Sequence, residues 1–368
     1  MILVEFSYEI MAAVLVVSFI LVLAIEYLWL YIISKNHEED YYRKSEINTN
    51  IHAMFESVLN SPTESAIAAE TEALIEYLGD DFEKRDEAAI MILQLQGRMS
   101  DLPENKLSAL GKIYDAVDPI KLYSEKLESG NNYMKGYACR QLADYGAVEK
   151  TEDIEKLLDS KNDDLAYNSA MALSELGDEA AVVKFAKICE GNRKYSHRVQ
   201  LEMFQIYTGD RESLVRQIFE NCGDYIKANC IKAYSEDCIG GLADIYLENI
   251  DSANAQLKIA AVKALAQLGD EKYEHKLTVL LNDKNWIVRL AAVQGIEKIG
   301  GKNALDNLIL AVRDEEWWVR RAAANAIVSI DTNLVYVEKV LSGYDKYAAD
   351  AVKNALYKTV EINNGFSS

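Results

Sequence analysis

Histidine and cysteine side chains, which bind metal ions and act as nucleophiles, are few and scattered in this sequence. There are four histidines and five cysteines among 368 residues. No two histidines have the spacing of metal ligands, and no two cysteines form a C-x-x-C pair. An odd number of cysteines in a chain of this length favours reduced, partly buried thiols in a cytosolic compartment over structural disulfides.

The sequence patterns of other catalytic sites are also missing. There is no G-x-S-x-G, no phosphate-binding glycine loop and no H-E-x-x-H. The two glycines of "CIGGLAD" lack a basic residue for phosphate, and acidic runs such as "GDDFEKRDEAA" are typical of solvated helix faces. We therefore expect no catalytic, cofactor-binding or metal-binding residue, and no intrinsic enzymatic activity.

The composition narrows the classes of partner and of fold. The formal net charge is −20, and an acidic chain is poorly suited to bind nucleic acid, which requires Lys and Arg to neutralise phosphates. Half of the residues are hydrophobic and only three are proline, which favours a large core built from helices. We expect an all-α protein with no nucleic-acid partner.

Aromatic residues recur along the chain and are the best candidates for binding a protein partner. The series is Tyr133, Tyr195, Tyr225, Trp286, Trp317 and Trp318. These rings either cover the turns between helices or form an exposed ridge, since Trp and Tyr are favoured as interface anchors. The candidate partner-binding residues are Trp286, Trp317 and Trp318. We expect unequal burial of Trp317 and Trp318, with the more exposed ring as the anchor. The preceding Glu315 and Glu316 suit a partner that combines basic and apolar groups.

A sequence pattern recurs about every 31 residues. The stretch "LNDKNWIVRLAAVQGIEKIGG" begins at Leu281, and the similar "VRDEEWWVRRAAANAIVSIDT" begins 31 residues later at Val312. Within one copy, apolar residues follow the i, i+4, i+8, i+11 spacing of one helix face. In the first stretch these residues are Val288, Ala292, Ile296 and Ile299.

Each copy predicts two helices joined by a turn, and such a pair must stack on its neighbours to bury its apolar face. The predicted fold is therefore an α-solenoid. About seven copies fill residues 125–332. We assign residues 61–124 to degenerate helical repeats and residues 333–368 to capping helices and a tail.

The two stretches resemble HEAT repeats, specifically the short HEAT-like repeats of the phycobilisome-lyase type. The resemblance implies a ladder between repeats, made by an Asp in the inter-helix turn and an Arg that opens the second helix. The matching residues are Asp283, Arg289, Asp314 and Arg320. Earlier copies keep a base at Lys258 and Lys227, but the positions that should hold the acid have serine. These are Ser129, Ser160 and Ser252.

The apolar stretch "IMAAVLVVSFILVLAIEYLWLYII", residues 10–33, predicts a membrane anchor. As a helix it would span about 36 Å, enough to cross the bilayer. A cleaved signal peptide would need basic residues ahead of the stretch and small residues after it, and it has neither. We assign residues 1–34 to the anchor and residues 35–60 to a polar juxtamembrane tether. Glu26 either contacts another transmembrane helix or reaches the lipid headgroups.

The positive charges of Lys35, Arg43 and Lys44 follow this stretch, and the positive-inside rule then predicts an N-terminus outside the cell membrane and a cytoplasmic solenoid. The expected function is that of a membrane-anchored scaffold or regulatory subunit which binds a protein partner, with an integral membrane enzyme or transporter as one candidate. The alternative is a lyase-like accessory protein that binds a cofactor in the solenoid groove.

Overall fold

The computed structural model describes the backbone of residues 2–191 and 195–363. Within that range it describes every side chain except those of residues 2–18, 20, 36, 37, 99, 191 and 360–363. The described residues form helices and turns without any strand, and the chain divides into two compact units, Met1–Gly130 and Asn131–Ser368.

The first unit contains five α-helices. They are α1 Ile2–Asn60, α2 Glu64–Leu78, α3 Phe82–Gln96, α4 Glu104–Val117 and α5 Pro119–Ser129. The three prolines of the chain all lie where a helix begins, because proline has no main-chain N–H to offer the preceding turn. Pro103 is the N-cap of α4, Pro119 is the first residue of α5, and Pro62 precedes the Thr63 cap of α2.

Residues 35–60 do not form the polar tether that the sequence suggested, because they continue α1 to its end. Ile47, Ile51, Phe55 and Val58 are buried, and α1 packs on α2 and α3 along this segment. Their spacing of four, four and three residues is that of one helix face. Polar residues such as Asn48, Asn50 and His52 between them hid this pattern in the sequence.

The predicted membrane anchor lies in the N-terminal part of α1. The side chains of residues 10–18 and 20 in this stretch lie outside the described residues. In the part of the chain that is described, no helix has the length and apolar character to cross a membrane. From Leu21 to Ile33 the large apolar side chains are exposed, and Glu26 is exposed among them.

The second unit is an α-solenoid of helix pairs. The first helices of the pairs are α7 Thr151–Glu155, α9 Glu179–Gly191, α11 Arg211–Asn221, α13 Ala243–Asn249, α15 Glu274–Val279, α17 Leu305–Ala311 and α19 Val335–Leu341. The second helices are α8 Asp163–Glu175, α10 His197–Ile206, α12 Asp224–Tyr234, α14 Ala255–Gln267, α16 Trp286–Ile299, α18 Trp317–Ile330 and α20 Lys346–Asn363. Helix α6, Asn132–Asp144, precedes them and packs on α8.

Short 3-10 helices precede or follow several α-helices of both units. They are Met99–Asp101, Val148–Lys150, Ser235–Asp237, Gly240–Leu242, Glu271–Tyr273, Leu280–Asn282 and Lys302–Ala304. From α6 to α20, each second helix packs on the next second helix, so these helices form one continuous layer.

The predicted apolar face of each second helix forms the core of this layer. Val288, Ala292 and Ile296 are buried, and the small side chains of Ala261, Ala292 and Ala323 have no exposed area. Small residues at this position allow neighbouring second helices to approach closely. The buried side of the layer is therefore closely packed, and its opposite side is exposed to solvent.

Glycines with left-handed backbone close several second helices. Gly146, Gly177, Gly269 and Gly300 have φ between 65° and 77°, a region that favours glycine because it has no Cβ. The 31-residue spacing of these glycines in the sequence therefore records where second helices end.

Candidate partner-binding site

Two ion pairs link consecutive repeats at the turn before each second helix. Lys258 Nζ lies 2.8 Å from Asp283 Oδ2, and Arg289 Nε lies 2.7 Å from Asp314 Oδ2. Arg289 Nη2 also donates to Asp314 Oδ1 at 2.8 Å. The four side chains are between 9% and 17% exposed, so water screens both pairs poorly.

The two arginines also hold the turns of their own repeats. Arg289 Nη1 donates to the main-chain oxygen of Asp283 at 2.9 Å, and Arg320 Nη1 donates to that of Asp314 at 2.6 Å. The structure thus brings all four ladder residues together. The arginine–carboxylate pair joins two repeats, and each arginine–carbonyl hydrogen bond lies within one repeat. Among the described residues, no carboxylate lies within ion-pairing distance of Arg320.

These pairs shift the ionisation of their members. Burial disfavours the charge on Asp283, but hydrogen bonds from Lys258 Nζ and the Asn285 main chain outweigh it and hold the pKa of Asp283 below its ordinary value. The hydrogen bond to Asp314 raises the pKa of Arg289 against the opposing effect of burial. Both residues are therefore charged near neutral pH.

The turn residue also accepts a hydrogen bond from the main chain of its own turn, and Ser160 and Ser252 do so in earlier repeats. Asp283 Oδ1 accepts a hydrogen bond from Asn285 N at 2.8 Å, and Ser252 Oγ accepts one from Asn254 N at 3.1 Å. Asn254 and Asn285 in turn cap α14 and α16. Serine keeps this turn but cannot form an ion pair. The recurring Ser/Asp-x-Asn pattern was a signal for the turn that the sequence analysis did not use.

The predicted aromatic series does not form one continuous ridge. Tyr195 is buried, Trp286 is half-buried, and Tyr133 and Tyr225 are exposed. Among the described residues, the rings of this series that contact one another are those of Trp317 and Trp318.

Trp317 and Trp318 are exposed to nearly the same extent, 49% and 53%, so the expectation of unequal burial was wrong. Their rings meet edge to face with centroids 4.6 Å apart, and the Arg321 guanidinium lies 5.2 Å from the centre of the Trp317 ring. The T-shaped contact holds the two rings to one another at the surface.

A groove lies between α18 and α20, with a volume of about 440 Å³. Trp317 and Arg321 line it from α18, and Tyr347 and Tyr357 line it from α20. The remaining lining residues are Arg320, Asn325, Asp350, Ala351, Asn354, Ala355 and Lys358. A concave surface with aromatic walls and a few polar groups is the usual form of a binding site.

Two features of the groove differ from the sequence analysis. Its α20 wall falls within residues 333–368, which were assigned to capping helices and a tail. The acidic Glu315 and Glu316 are not among the lining residues, which instead include three bases, Arg320, Arg321 and Lys358. Trp286 also lies outside the lining, so only one of the three predicted tryptophans forms the groove wall.

Outside the groove, the candidates for metal-binding and reactive side chains are the histidine, cysteine and acidic residues that the structure describes. Within that part of the chain, no group of three or more His, Cys, Asp or Glu side chains is placed to hold a metal ion. Cys139, Cys189, Cys222 and Cys230 are buried, while Cys238 is exposed. Burial raises the pKa of Cys139 and Cys222 to about 11 and that of Cys189 to about 12, which disfavours the reactive thiolates.

Comparison with known families supports the repeat assignment. The sequence model described as HEAT repeats matches residues 243–328 and 275–356. The matched residues include the ladder and most of the lining of the groove. No curated protein matches the sequence.

Solved structures with similar folds are distant in sequence. An engineered protein is 14% identical, with a TM-score of 0.34, and the match covers 83% of this chain and 98% of that one. Kap95p in a study of its complex with RanGDP is 13% identical, with a TM-score of 0.46, and the match covers 86% of this chain and 51% of Kap95p. Human deoxyhypusine hydroxylase with glycerol is 14% identical, with a TM-score of 0.31 and coverage of 78% and 98%. None of these likenesses is close enough to carry a function to this protein.

Proposed function

We propose that this protein is a membrane-anchored scaffold or regulatory subunit whose HEAT repeats bind a protein partner in the groove between α18 and α20. The observation that carries the proposal is the exposure of Trp317 in the wall of that groove. A half-exposed indole on a rigid layer of helices binds a partner with little loss of conformational entropy. HEAT-repeat solenoids are typical protein-interaction scaffolds.

The groove is suited to binding rather than catalysis. Its lining residues include no histidine, cysteine, serine or threonine that could act as a nucleophile or as a general base near neutral pH. The aromatic, amide and basic side chains present there can bury an apolar group and hydrogen-bond the polar groups around it. We propose that the protein acts through its partner and has no enzymatic activity of its own.

The proposed anchor is the apolar stretch 10–33 of α1. Its support is the row of exposed apolar side chains from Leu21 to Ile33, which would be unfavourable in water, and the aromatic residues Tyr27, Trp29 and Tyr31 near its end. Lys35, Arg43 and Lys44 follow it and favour a cytoplasmic position for the solenoid. The partner is then held at the inner face of the cell membrane.

Binding in the groove is tested by co-purification from cells in mild detergent with wild-type protein and Trp317→Ala. We expect the partner bound by the wild type to be depleted at least tenfold by Trp317→Ala, because an anchor residue of this kind contributes about 2 kcal/mol. Tyr133→Ala removes an exposed aromatic ring outside the groove and should leave binding unchanged. Equal loss in both variants, or loss that follows a lower melting temperature, would contradict the proposal.

The anchor is tested separately by fractionation and by protease treatment of intact cells. Full-length protein should remain in the membrane fraction after carbonate washing, and the solenoid should be protected from external protease. A variant in which Leu21, Leu23, Leu28 and Leu30 are replaced by serine should move to the supernatant. Retention of that variant in the membrane, or digestion of the solenoid from outside, would contradict this part of the proposal.

A further inference from the structure

Acidic residues are rare on the three second helices that precede α20, whereas α20 itself places Asp350 in the lining of the groove. Helices α14, α16 and α18 contain six basic residues and one acidic residue, Glu297. The whole chain has 59 acidic and 39 basic residues, so the opposite ratio would be expected. Residues 1–130 hold 23 acidic and 10 basic residues and carry most of the excess of acid, whereas α14, α16 and α18 form a local surface of different charge.

Two of the six bases are neutralised and four are not. Lys258 and Arg289 form the ladder pairs described above. The other four bases are Lys263, Lys298, Arg320 and Arg321, and among the described residues none has a carboxylate within 4 Å. Unpaired bases on one face of an acidic protein create a local positive potential that attracts anionic groups.

On the five second helices from α12 to α20, the exposed residues form two rows. A first row contains mostly aromatic or aliphatic residues at the start of each second helix, and a second row, seven residues later in each helix, contains only amides and lysines. The first row is Tyr225, Gln256, Ile287, Trp318 and Tyr347. The second row is Lys232, Lys263, Gln294, Asn325 and Asn354. Residues seven apart share one helix face, so the two rows lie on the same side of the layer.

One hydrogen bond joins the two rows across neighbouring helices. Lys232 Nζ on α12 donates to Gln256 Oε1 on α14 at 3.1 Å. Burial and the nearby charge of Lys263 lower the pKa of Lys232, as expected for two bases without an acid between them. Asn325 and Asn354 face each other across the groove. We call the surface made by these two rows, together with Arg321, the acid-poor face.

We propose that the acid-poor face binds an acidic segment of the partner protein that also carries an aromatic or long aliphatic side chain. The apolar side chain enters the groove between Trp317 and Tyr347, and carboxylates of the same segment contact Arg321 and Lys263. This inference rests on the proposed function and adds the chemistry of the partner. Charge complementarity is its basis, because basic partners would be repelled by the unpaired bases and attracted to the acidic remainder of the chain.

The required length of the segment follows from the spacing of the helices. Arg321 on α18 and Lys263 on α14 are two second helices apart, and packed helices lie about 10 Å from each other. An extended chain advances about 3.3 Å per residue, so about six residues span the roughly 20 Å between these bases. A short linear segment is therefore sufficient, and no folded partner domain is needed.

A nucleic-acid strand also combines negative charge with flat rings, but it fits the observations less well. Tight binding of a strand needs several phosphate contacts, and a chain of net charge −20 opposes long-range attraction of a polyanion. A protein segment with a few carboxylates carries less negative charge and is repelled less strongly. An oligonucleotide is included in the test as the competing outcome.

The test is fluorescence anisotropy with full-length protein in detergent and a labelled eight-residue peptide of glutamates around one central phenylalanine. Three matched peptides replace Glu by Gln, Glu by Lys, or Phe by Ala, and a labelled oligo-dT serves as the nucleic acid. We expect the Glu/Phe peptide to bind at least tenfold more tightly than each of the others and to weaken as salt is raised. Equal binding of the Gln or Ala peptide, or tighter binding of oligo-dT, would overturn the proposal.

Variants then locate the binding surface. Arg321→Glu and Lys263→Glu should each weaken the Glu/Phe peptide at least tenfold, while Lys276→Glu makes the same charge change on the first helix α15 and should have no effect. Arg321→Gln replaces Arg321→Glu if the latter has a lowered melting temperature. An equal effect of Lys276→Glu would overturn the proposal. If the peptide fails to bind while Trp317→Ala still releases the cellular partner, the acidic-segment inference is wrong and the proposed function stands.

Discussion

Arg289 donates two parallel hydrogen bonds to Asp314 of the following repeat, from Nε at 2.7 Å and from Nη2 at 2.8 Å. Its third nitrogen bonds the main-chain oxygen of Asp283 in its own turn at 2.9 Å. One side chain thus joins the turns of two repeats through all three guanidinium nitrogens. The planar geometry of arginine permits this arrangement, and lysine could not reproduce it.

The first prediction concerns this joint. Arg289→Ala should lower the free energy of unfolding by about 3 kcal/mol, because it leaves the poorly exposed Asp314 carboxylate without its partner. Equilibrium unfolding in urea measures the change. The control is Lys339→Ala, which removes an inter-repeat pair with Asp306 in which both side chains are more than half exposed. This control should have no measurable effect, and an equal loss in both variants would show that burial does not govern the strength of these pairs.

The second prediction concerns pH and the Lys258–Asp283 pair. The pKa of Asp283 is lowered in the folded state, so its charge stabilises the fold above the unfolded pKa, about 3.9, and this contribution is lost as pH falls through the folded value. Asp283→Asn should therefore be less stable than wild type by about 2 kcal/mol at neutral pH, with the difference shrinking as the pH falls below the unfolded pKa.

The comparison of variant with wild type is essential for this test. Burial raises the pKa values of Asp144 and Glu175, whose protonation in acid acts on stability in the opposite direction. Subtracting the two unfolding curves at each pH removes these shared contributions. A difference that stays constant from neutral pH to about pH 2.5 would mean that Asp283 acts through its turn hydrogen bond and not through its charge.

The third prediction concerns Glu274, a buried acid of α15. Its Oε1 accepts a hydrogen bond from the main-chain N–H of Ala304 at 2.7 Å, and its Oε2 accepts one from Asn303 Nδ2 at 2.8 Å. Glu274→Ala removes both bonds, leaves the buried Ala304 N–H with only its longer bond of 3.3 Å to the main-chain oxygen of Gly301, and should lower stability by about 2 kcal/mol. Glu274→Gln retains one acceptor and should fall between. Glu271→Ala, at an exposed position nearby, is the control and should have no effect.

The fourth prediction concerns the five cysteines. In the native protein only Cys238 is exposed, whereas burial raises the pKa of Cys230 well above its ordinary value and also raises those of Cys139, Cys189 and Cys222. Titration with a disulfide reagent near pH 8 should modify one thiol quickly and the other four only after unfolding. Cys238→Ser should abolish the fast phase. A fast phase of two or more thiols would show that the repeats around α9 and α12 open readily.

The sequence alone determined the secondary structure of the second unit, the repeat length and the residues of the core. Each of these depends on local order: the 31-residue period, the apolar spacing around Val288 and the glycines that close the helices. The ladder residues were identified through the resemblance of two stretches to HEAT repeats, which implies these residues at fixed positions of a repeat. Interactions within one turn or one helix leave a direct record in the order of residues.

Only the tertiary structure decided which residues that are distant in sequence contact one another. Arg289 pairs with Asp314 and not with the carboxylate of Asp283, because the stacking of repeats sets which turn lies within reach. The groove required α20 to pack on α18, which brings Tyr347 and Tyr357 opposite Trp317. The buried face of α1 near Phe55 became visible only when α2 and α3 covered it. Contacts between helices depend on packing distance and register, which the local pattern of a sequence does not encode.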